Sequence, residues 1–140
     1  MTKAESREIF LTHIDEATVR GYALDPTKNA DMRRSHDVLM GYAQGYIWSM
    51  WQKYAAGTED YPDAIDPDAP DDTELSLPDA FCPLVPLKCA ADAVKASNAS
   101  LSGYLMTQFE RELAMLCGTV IPAAAGVEEV YTQDGIYTED

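Results

Sequence analysis

The sequence predicts a mainly α-helical protein: a small antiparallel bundle of about four helices with a long acidic loop and an extended C-terminal tail. Three observations support this fold class. Apolar residues recur at spacings of three and four in four stretches of the 140-residue chain. Capping residues, glycines and prolines separate these stretches. Between the second and third stretch, residues 58 to 79 carry nine acids, four prolines and no base.

Length and charge set the first limits on function. The chain is long enough for one domain with one core. Its formal net charge is −14, from 10 Lys and Arg against 24 Asp and Glu, so it should repel nucleic acid and anionic membranes. No apolar run approaches the roughly 20 residues that span a bilayer, and the N-terminus lacks a signal-peptide pattern. We therefore expect assembly in a cytoplasm, with no membrane partner.

The first helix is predicted from about Lys3 to Arg20. Thr2 and Glu5 have the spacing of a capping box, and Gly21 can end the helix. Its apolar stripe consists of Ile9, Phe10, Ile14, Ala17 and Val19.

The second helix is predicted from about Ala30 to Ala56 and has the strongest amphipathic pattern. Trp48 falls outside its predicted buried stripe and indicates either a contact surface or a second core face. That stripe consists of Met32, Leu39, Tyr42, Ala43, Tyr46, Ile47, Met50, Trp51 and Tyr54.

Residues 58–79 are predicted to form a long, mobile, extended loop, because prolines and like charges resist packing. Pro78 suits the start of a third helix, whereas Pro83 and Pro86 predict a kink. We expect the regular part of helix 3 over 84–97, with Leu84, Leu87, Ala91 and Val94 buried.

Asn98 or Ser100 caps a fourth helix over 101–116, which Gly118 ends. Its stripe is Leu101, Leu105, Phe109, Leu113 and Leu116. The short connection predicts that helices 3 and 4 are antiparallel neighbours.

The chain divides into a helical domain over 1–118 and an extended tail over 119–140. Asp134-Gly135, between Tyr131 and Tyr137, is a hairpin signal. An isolated hairpin is marginally stable in water, so the tail is predicted to need a partner to pair with.

The residues supply no pattern for catalysis, metal binding or cofactor binding. His13 and Glu16 share a helix face, but no second metal-binding pair accompanies them. Asp66, Asp68 and Asp71 lack the spacing of a calcium loop. The odd number of cysteines, Cys82, Cys89 and Cys117, argues against a disulfide framework and for buried thiols.

One stretch resembles a known family. Residues 75–116 combine Leu77-Pro78, Phe81, a small-residue helix through Cys89, Ala90, Ala91 and Ala93, a polar break, and a helix ending in Phe109-Glu110-Arg111-Glu112-Leu113. This pattern resembles the C-terminal half of head–tail connector proteins of tailed bacteriophages, the adaptor or head-completion class. The family often has Tyr at the position of Phe109. Pro83 and Pro86 depart from the pattern at the start of helix 3.

The resemblance implies a structural protein of the virion neck rather than an enzyme. Such connectors assemble, usually as dodecamers, into a ring beneath the portal protein, extend the DNA channel and receive the tail or a stopper. The acids that would face the channel are Glu59, Asp60, Asp63, Asp66, Asp68, Asp71 and Asp72. They would let DNA slide past without specific binding. The tail residues that would dock on a partner are Val130, Tyr131, Ile136 and Tyr137.

Two alternatives stay open. An acidic chain could mimic DNA and inhibit a nucleic-acid enzyme, although a mimic needs carboxylates spaced along a rigid surface. A four-helix bundle could also hold a metal or an active site, which requires inward-facing ligands that these apolar stripes lack.

Overall fold

The computed structural model describes residues 1–17, 30–55 and 65–120, and within these ranges the protein is helical. Its elements are α1 (Lys3–Ala17), α2 (Ala30–Ala55), a single 3-10 turn (Asp79–Phe81), α3 (Leu84–Ala93) and α4 (Ala99–Val120). No β-strand occurs in the described ranges, where an isolated antiparallel bridge joins Thr2 to Glu74. The prediction of a mainly helical protein with four helices is confirmed.

The start of α1 matches the predicted capping box. The Thr2 N–H donates to Glu5 Oε1 at 2.9 Å, and the Glu5 N–H donates to Thr2 Oγ1 at 3.1 Å. Two amides that have no partner inside the helix are thereby satisfied. The helix then buries Phe10, Leu11 and Ile14, so Leu11 joins the expected stripe.

Helix α3 is the centre of the fold, in contact with α1, α2 and α4. All four residues of its predicted stripe are buried. The predicted kink is present as the 3-10 turn followed by Pro83. Pro86 is the third residue of α3. Its missing N–H costs nothing there, because backbone amides in the first turn of a helix have no intrahelical acceptor.

Two helix ends differ from the prediction. Helix α3 ends at Ala93 rather than Ser97, and residues 94–97 form turns. The Asn98 side chain then caps α4 by accepting a hydrogen bond from the Leu101 N–H at 3.1 Å. Helix α4 runs through Gly118 to Val120. A glycine inside a helix costs only about 1 kcal/mol, and burial of Cys117 offsets that cost by holding the last turn against the core.

The buried face of α2 is rotated from the predicted one. Trp48 is buried, whereas Tyr42 and Tyr46 are 76% and 43% exposed. The predicted stripe was therefore wrong at Tyr42 and Tyr46, and of the two interpretations of Trp48 its burial favours the second core face. The true inner face includes the polar residues His36 and Gln44, which a hydrophobic pattern assigns to the solvent side.

The second half of the predicted acidic loop is packed rather than extended. Within 65–79, the residues Ile65, Leu75 and Leu77 are buried. The backbone of this acidic segment pairs with the start of α1, where the Lys3 N–H donates to the Thr73 carbonyl at 2.8 Å. The prediction failed here because the partners of these residues lie about seventy positions earlier in the chain.

No helix in the described ranges is long and apolar enough to cross a membrane.

Candidate functional site

A cluster of polar side chains joins α1, α2 and the acidic segment. We name it the polar cluster, and it consists of Lys3, Ser6, Arg7, His36, Asp37 and Asp71. Helical spacing places its first three members on one side of α1, and its next two are adjacent on α2. Four of the six are buried, which is uncommon for polar residues unless they are paired.

Arg7 is the hub of the polar cluster. Its Nε and Nη2 donate to the two carboxylate oxygens of Asp37, each at 3.1 Å. Nη2 also donates to Asp71 Oδ1 at 3.0 Å. Burial disfavours the charge of Arg7, but the hydrogen bonds with Asp71 and Asp37 outweigh burial and raise its pKa. A bidentate fork of this kind fixes both geometry and charge.

The pKa values of Asp37 and Asp71 change in the opposite direction to that of Arg7. Burial alone would raise the pKa of Asp37, but hydrogen bonds from His36 and Arg7 lower it below its ordinary value. For Asp71, the hydrogen bond from Arg7 lowers the pKa. Both groups are therefore held as carboxylates that Arg7 shares.

Lys3 attaches the acidic segment from the same side of α1. Its Nζ donates to the carbonyls of Pro67 and Ala69, each at 2.7 Å, and lies 3.9 Å from Asp37 Oδ2. The Ser76 N–H donates to Gln44 Oε1 at 2.8 Å, which adds an attachment to α2. The acidic segment is thus bound at both of its ends.

Ser6, His36 and Asp37 form a chain with the atom order of a nucleophilic triad. Ser6 Oγ lies 2.8 Å from His36 Nε2, and His36 Nδ1 lies 2.9 Å from Asp37 Oδ1. Ser6 and His36 are fully buried, however, so no substrate reaches the hydroxyl in this structure. Asp37 is also shared with Arg7. The arrangement fixes α1 against α2 rather than presenting a nucleophile.

Sequence reasoning missed Ser6, Arg7 and His36 as members of one site. A signal was present, since Lys3 and Arg7 are one turn apart on the side of the helix that continues with the apolar residue Phe10. A basic pair at the edge of an apolar face predicts a buried anion partner.

The acids that the sequence analysis expected to face a channel differ from one another in their surroundings. Asp71 belongs to the polar cluster, whereas Asp68 pairs with Arg34 at the surface, at 2.8 Å. Asp66 accepts from the Asp68 N–H at 2.8 Å within a turn, and Asp72 is exposed. The other members of the predicted set, together with the four tail residues, lie outside the described residues: Glu59, Asp60, Asp63, Val130, Tyr131, Ile136 and Tyr137.

Apolar side chains are exposed on two outer faces. On α2, a groove of about 540 Å³ opens beside Tyr42 and Tyr46. Its lining residues are Val38, Gly41, Tyr42, Gly45, Tyr46, Ser49, Ile65 and Pro67. On α4, Tyr104 and Met115 are 68% and 64% exposed. Large apolar groups in such positions are typical of contact surfaces.

The three cysteines are buried and unpaired with one another. Burial raises the pKa of each thiol, most strongly at Cys89. A raised pKa keeps a thiol protonated and unreactive, as the sequence predicted for buried thiols. Among the described residues, no group of three or more His, Cys, Asp or Glu side chains could hold a metal ion.

Comparison of the chain with protein-family models, with curated proteins and with solved structures found no match.

Proposed function

We propose that this protein is a head–tail adaptor of a tailed bacteriophage, a structural component of the virion neck without a catalytic role. In this proposal its helices form a small antiparallel bundle. Copies of the bundle assemble into a ring, usually a dodecamer, beneath the portal protein. The ring extends the DNA channel and receives the tail or a stopper protein.

The observation that carries the proposal is the connector-like pattern over residues 75–116. Its apolar positions coincide with the centre of the fold, where Phe81 packs at the 3-10 turn, Ala90 and Ala91 are buried on α3, and Phe109 is buried on α4. Burial of these positions supports the proposal to the extent that the pattern describes helix packing. Phe109 replaces the tyrosine frequent in the family, and its ring lies 6.0 Å from that of Tyr46.

The charge distribution supports passage of DNA without binding. The described part of the acidic segment carries six acids and no base, and Asp66, Asp68 and Asp72 are all exposed. Carboxylates at a channel wall repel phosphates, so DNA does not adhere. Asp68 and Asp71 contribute less to such a wall, because their charges are matched by Arg34 and Arg7.

The part of the predicted tail that follows α4, residues 121–140, supplies the proposed contact with the portal protein or with the phage tail or a stopper. Its apolar residues Val130, Tyr131, Ile136 and Tyr137 form two adjacent pairs on either side of Asp134-Gly135, and they suit the addition of a strand to a partner's sheet edge. Deletion of 127–140 should leave the helical circular dichroism unchanged yet abolish attachment. Full attachment of the shortened protein would contradict this role of the tail.

The direct experiment is quantitative mass spectrometry of purified particles from the phage or prophage that encodes the chain. The expected result is a fixed copy number close to that of the portal protein. Absence from particles would overturn the adaptor proposal.

A further inference from the structure

We propose that the groove beside Tyr42 and Tyr46, here named the α2 groove, is a docking site for a segment of a different protein that carries apolar side chains next to lysine or arginine. This inference goes beyond the proposed function. It names a surface and the chemistry of its partner, whether or not the chain is an adaptor.

Exposed apolar side chains are concentrated at the α2 groove. Five large apolar side chains are exposed in the described part of the chain, and three of them, Val38, Tyr42 and Tyr46, line this groove. Val38 and Ser49 both line it and are eleven residues apart on α2, so the groove follows the helix for about three turns, or about 16 Å. That length suits a short peptide segment rather than a single side chain.

The α2 groove is already formed in this structure. Ile65 and Pro67 form one of its walls, and Lys3 Nζ donates to the Pro67 carbonyl at 2.7 Å, which fixes that wall to α1. On the α2 side, the ring of Tyr46 lies 6.0 Å from the ring of the buried Phe109. A partner that enters the groove therefore loses little free energy to ordering it.

The charges around the α2 groove favour a cationic partner. The residues that the structure shows lining the groove include no charged side chain, and the exposed acids Asp66 and Asp68 stand on either side of Pro67 in its wall. Arg34 pairs with Asp68, whereas Asp66 has no ion pair among the described residues. The chain as a whole has a formal net charge of −14. A lysine or arginine beside the partner's apolar side chains is therefore attracted to this rim.

The tyrosine rings of the α2 groove offer such a cation a further contact. Lys88 Nζ lies 5.2 Å from the centroid of the Tyr46 ring while it pairs with Asp92. This fold thus already places a cation against one of the two rings. The ring of Tyr42 is largely exposed, so a lysine or arginine from a partner can stack on it in the same manner.

The same charges disfavour two other occupants. Residues 121–140 of the chain carry five acids and no base, and a second copy has the same net charge of −14. Neither brings an excess of positive charge to the acidic rim. A basic and apolar segment of a different protein is the occupant that the charges favour.

The experiment titrates isotopically labelled full-length protein with a synthetic peptide of leucines and arginines, about three helical turns long, and follows binding by NMR and calorimetry. The amides of Val38, Tyr42 and Ser49 should shift and saturate. Two matched peptides, one with serine for leucine and one with glutamate for arginine, should each bind at least about tenfold more weakly. Absence of shifts at the groove with millimolar leucine–arginine peptide would overturn the inference.

The matched protein variants are Tyr42→Ser and Tyr104→Ser. Both remove a tyrosine that is more than two-thirds exposed, the first from the α2 groove and the second from α4. Tyr42→Ser should weaken binding of the leucine–arginine peptide by about tenfold, whereas Tyr104→Ser should bind it like the wild type. Equal affinities of the two variants, or a serine–arginine peptide that binds as tightly as the leucine–arginine peptide, would show only general attraction to an acidic surface and would contradict the inference.

Two further measurements test the other occupants. A synthetic peptide of residues 121–140 that shifts the same groove amides would assign the groove to the chain's own C-terminal segment. Shifts of those amides on dilution of the peptide-free protein would assign it to a second copy. Either result would overturn the inference. Specific binding by a chain that is absent from phage particles would instead contradict the adaptor proposal alone.

Discussion

Two regions of this protein depart from the rule that charged residues are exposed and apolar residues are buried. The contact that α1 makes with α2 is charged yet largely buried, through Lys3, Arg7 and Asp37, and Arg7 extends it to Asp71 of the acidic segment. The outer faces of α2 and α4 are apolar yet exposed, through Tyr42, Tyr104 and Met115. Paired charge attaches one part of the chain to another, whereas the outer apolar side chains of Tyr42 and Tyr104 are exposed at the surface.

The charged residues of the polar cluster tolerate burial because positive and negative charges are matched. Arg7 and Lys3 face Asp37 and Asp71 at close range, so neither sign is left in excess. Removal of Arg7 takes the bidentate partner from the largely buried Asp37, which costs far more than loss of an exposed pair. The side chains of Tyr42 and Tyr104 carry no such penalty, since both are largely exposed. Substitutions in the two places should therefore differ strongly in their effect on stability.

The largest effect is expected at the hub of the polar cluster. Arg7→Met keeps the aliphatic stem but removes the charge shared by Asp37 and Asp71. We expect a loss of about 3–5 kcal/mol in the free energy of unfolding, measured by denaturant titration with circular dichroism.

The matched control for that substitution is Arg34→Met. Arg34 pairs with Asp68 at the surface, with both side chains more than half exposed. Its loss should cost under about 1 kcal/mol. Equal losses for the two arginines would contradict the assignment of Arg7 as the hub.

A smaller effect is expected from the buried hydroxyl. Ser6→Ala removes the hydrogen-bonding partner of His36 Nε2 and leaves that atom buried without one. The expected loss is about 1–3 kcal/mol, measured in the same titration. Ser49→Ala, at an exposed position of α2, should be close to neutral. If the two serine variants were equally stable, the Ser6–His36 contact would contribute nothing.

The pH dependence of stability should report the two carboxylates. The pKa values of Asp37 and Asp71 are lowered in the folded protein by hydrogen bonds that include those from Arg7. Groups with a lowered pKa stabilise the fold above their unfolded value of about 3.9 and lose that contribution as pH falls through the folded pKa. We expect the free energy of unfolding to decline with falling pH below about pH 4.

The variant Asp71→Asn should flatten that decline, whereas Asp72→Asn, at the exposed neighbouring position, should follow the wild type. Identical pH profiles for the two variants would show that Asp71 does not contribute through Arg7.

The smallest effect on stability is expected on the outer face. Tyr42→Ser should change the free energy of unfolding by no more than about 0.5 kcal/mol, because the side chain is mostly in water already. Ile47→Ala on the same helix removes a fully buried side chain and should cost about 2–5 kcal/mol. A large loss from Tyr42→Ser would mean that this face belongs to the core.

Local signals in the sequence predicted the local structure well. The capping box at Thr2 and Glu5, the proline-rich break before α3 and the four helices all depend on residues close together in the chain. The end of α4 was missed because Gly118 is a weak stop when the neighbouring Cys117 is buried. The helical period alone did not identify the buried face of α2, since aromatic residues occur on both of its sides.

The polar cluster could not be predicted from local patterns. Arg7 binds Asp37 and Asp71, which lie thirty and sixty-four residues further along the chain. In sequence, the acidic segment has no base, and its own composition indicates an unpacked chain. The cations that fix it are on α1. Only the folded arrangement brings the two charge sets together, so the sequence predicted a mobile loop where the structure has a bound one.

Hydrogen–deuterium exchange of the full-length protein tests the central claim of this comparison most directly, namely that α1 holds the acidic segment in place. The backbone amides of Thr73 and Leu75 donate to carbonyls of Pro70 and Met1. We predict that they exchange slowly, as helix amides do, and that Arg7→Met accelerates them while Arg34→Met does not. Exchange of residues 71–75 at the rate of an unfolded chain in the wild type would contradict the account.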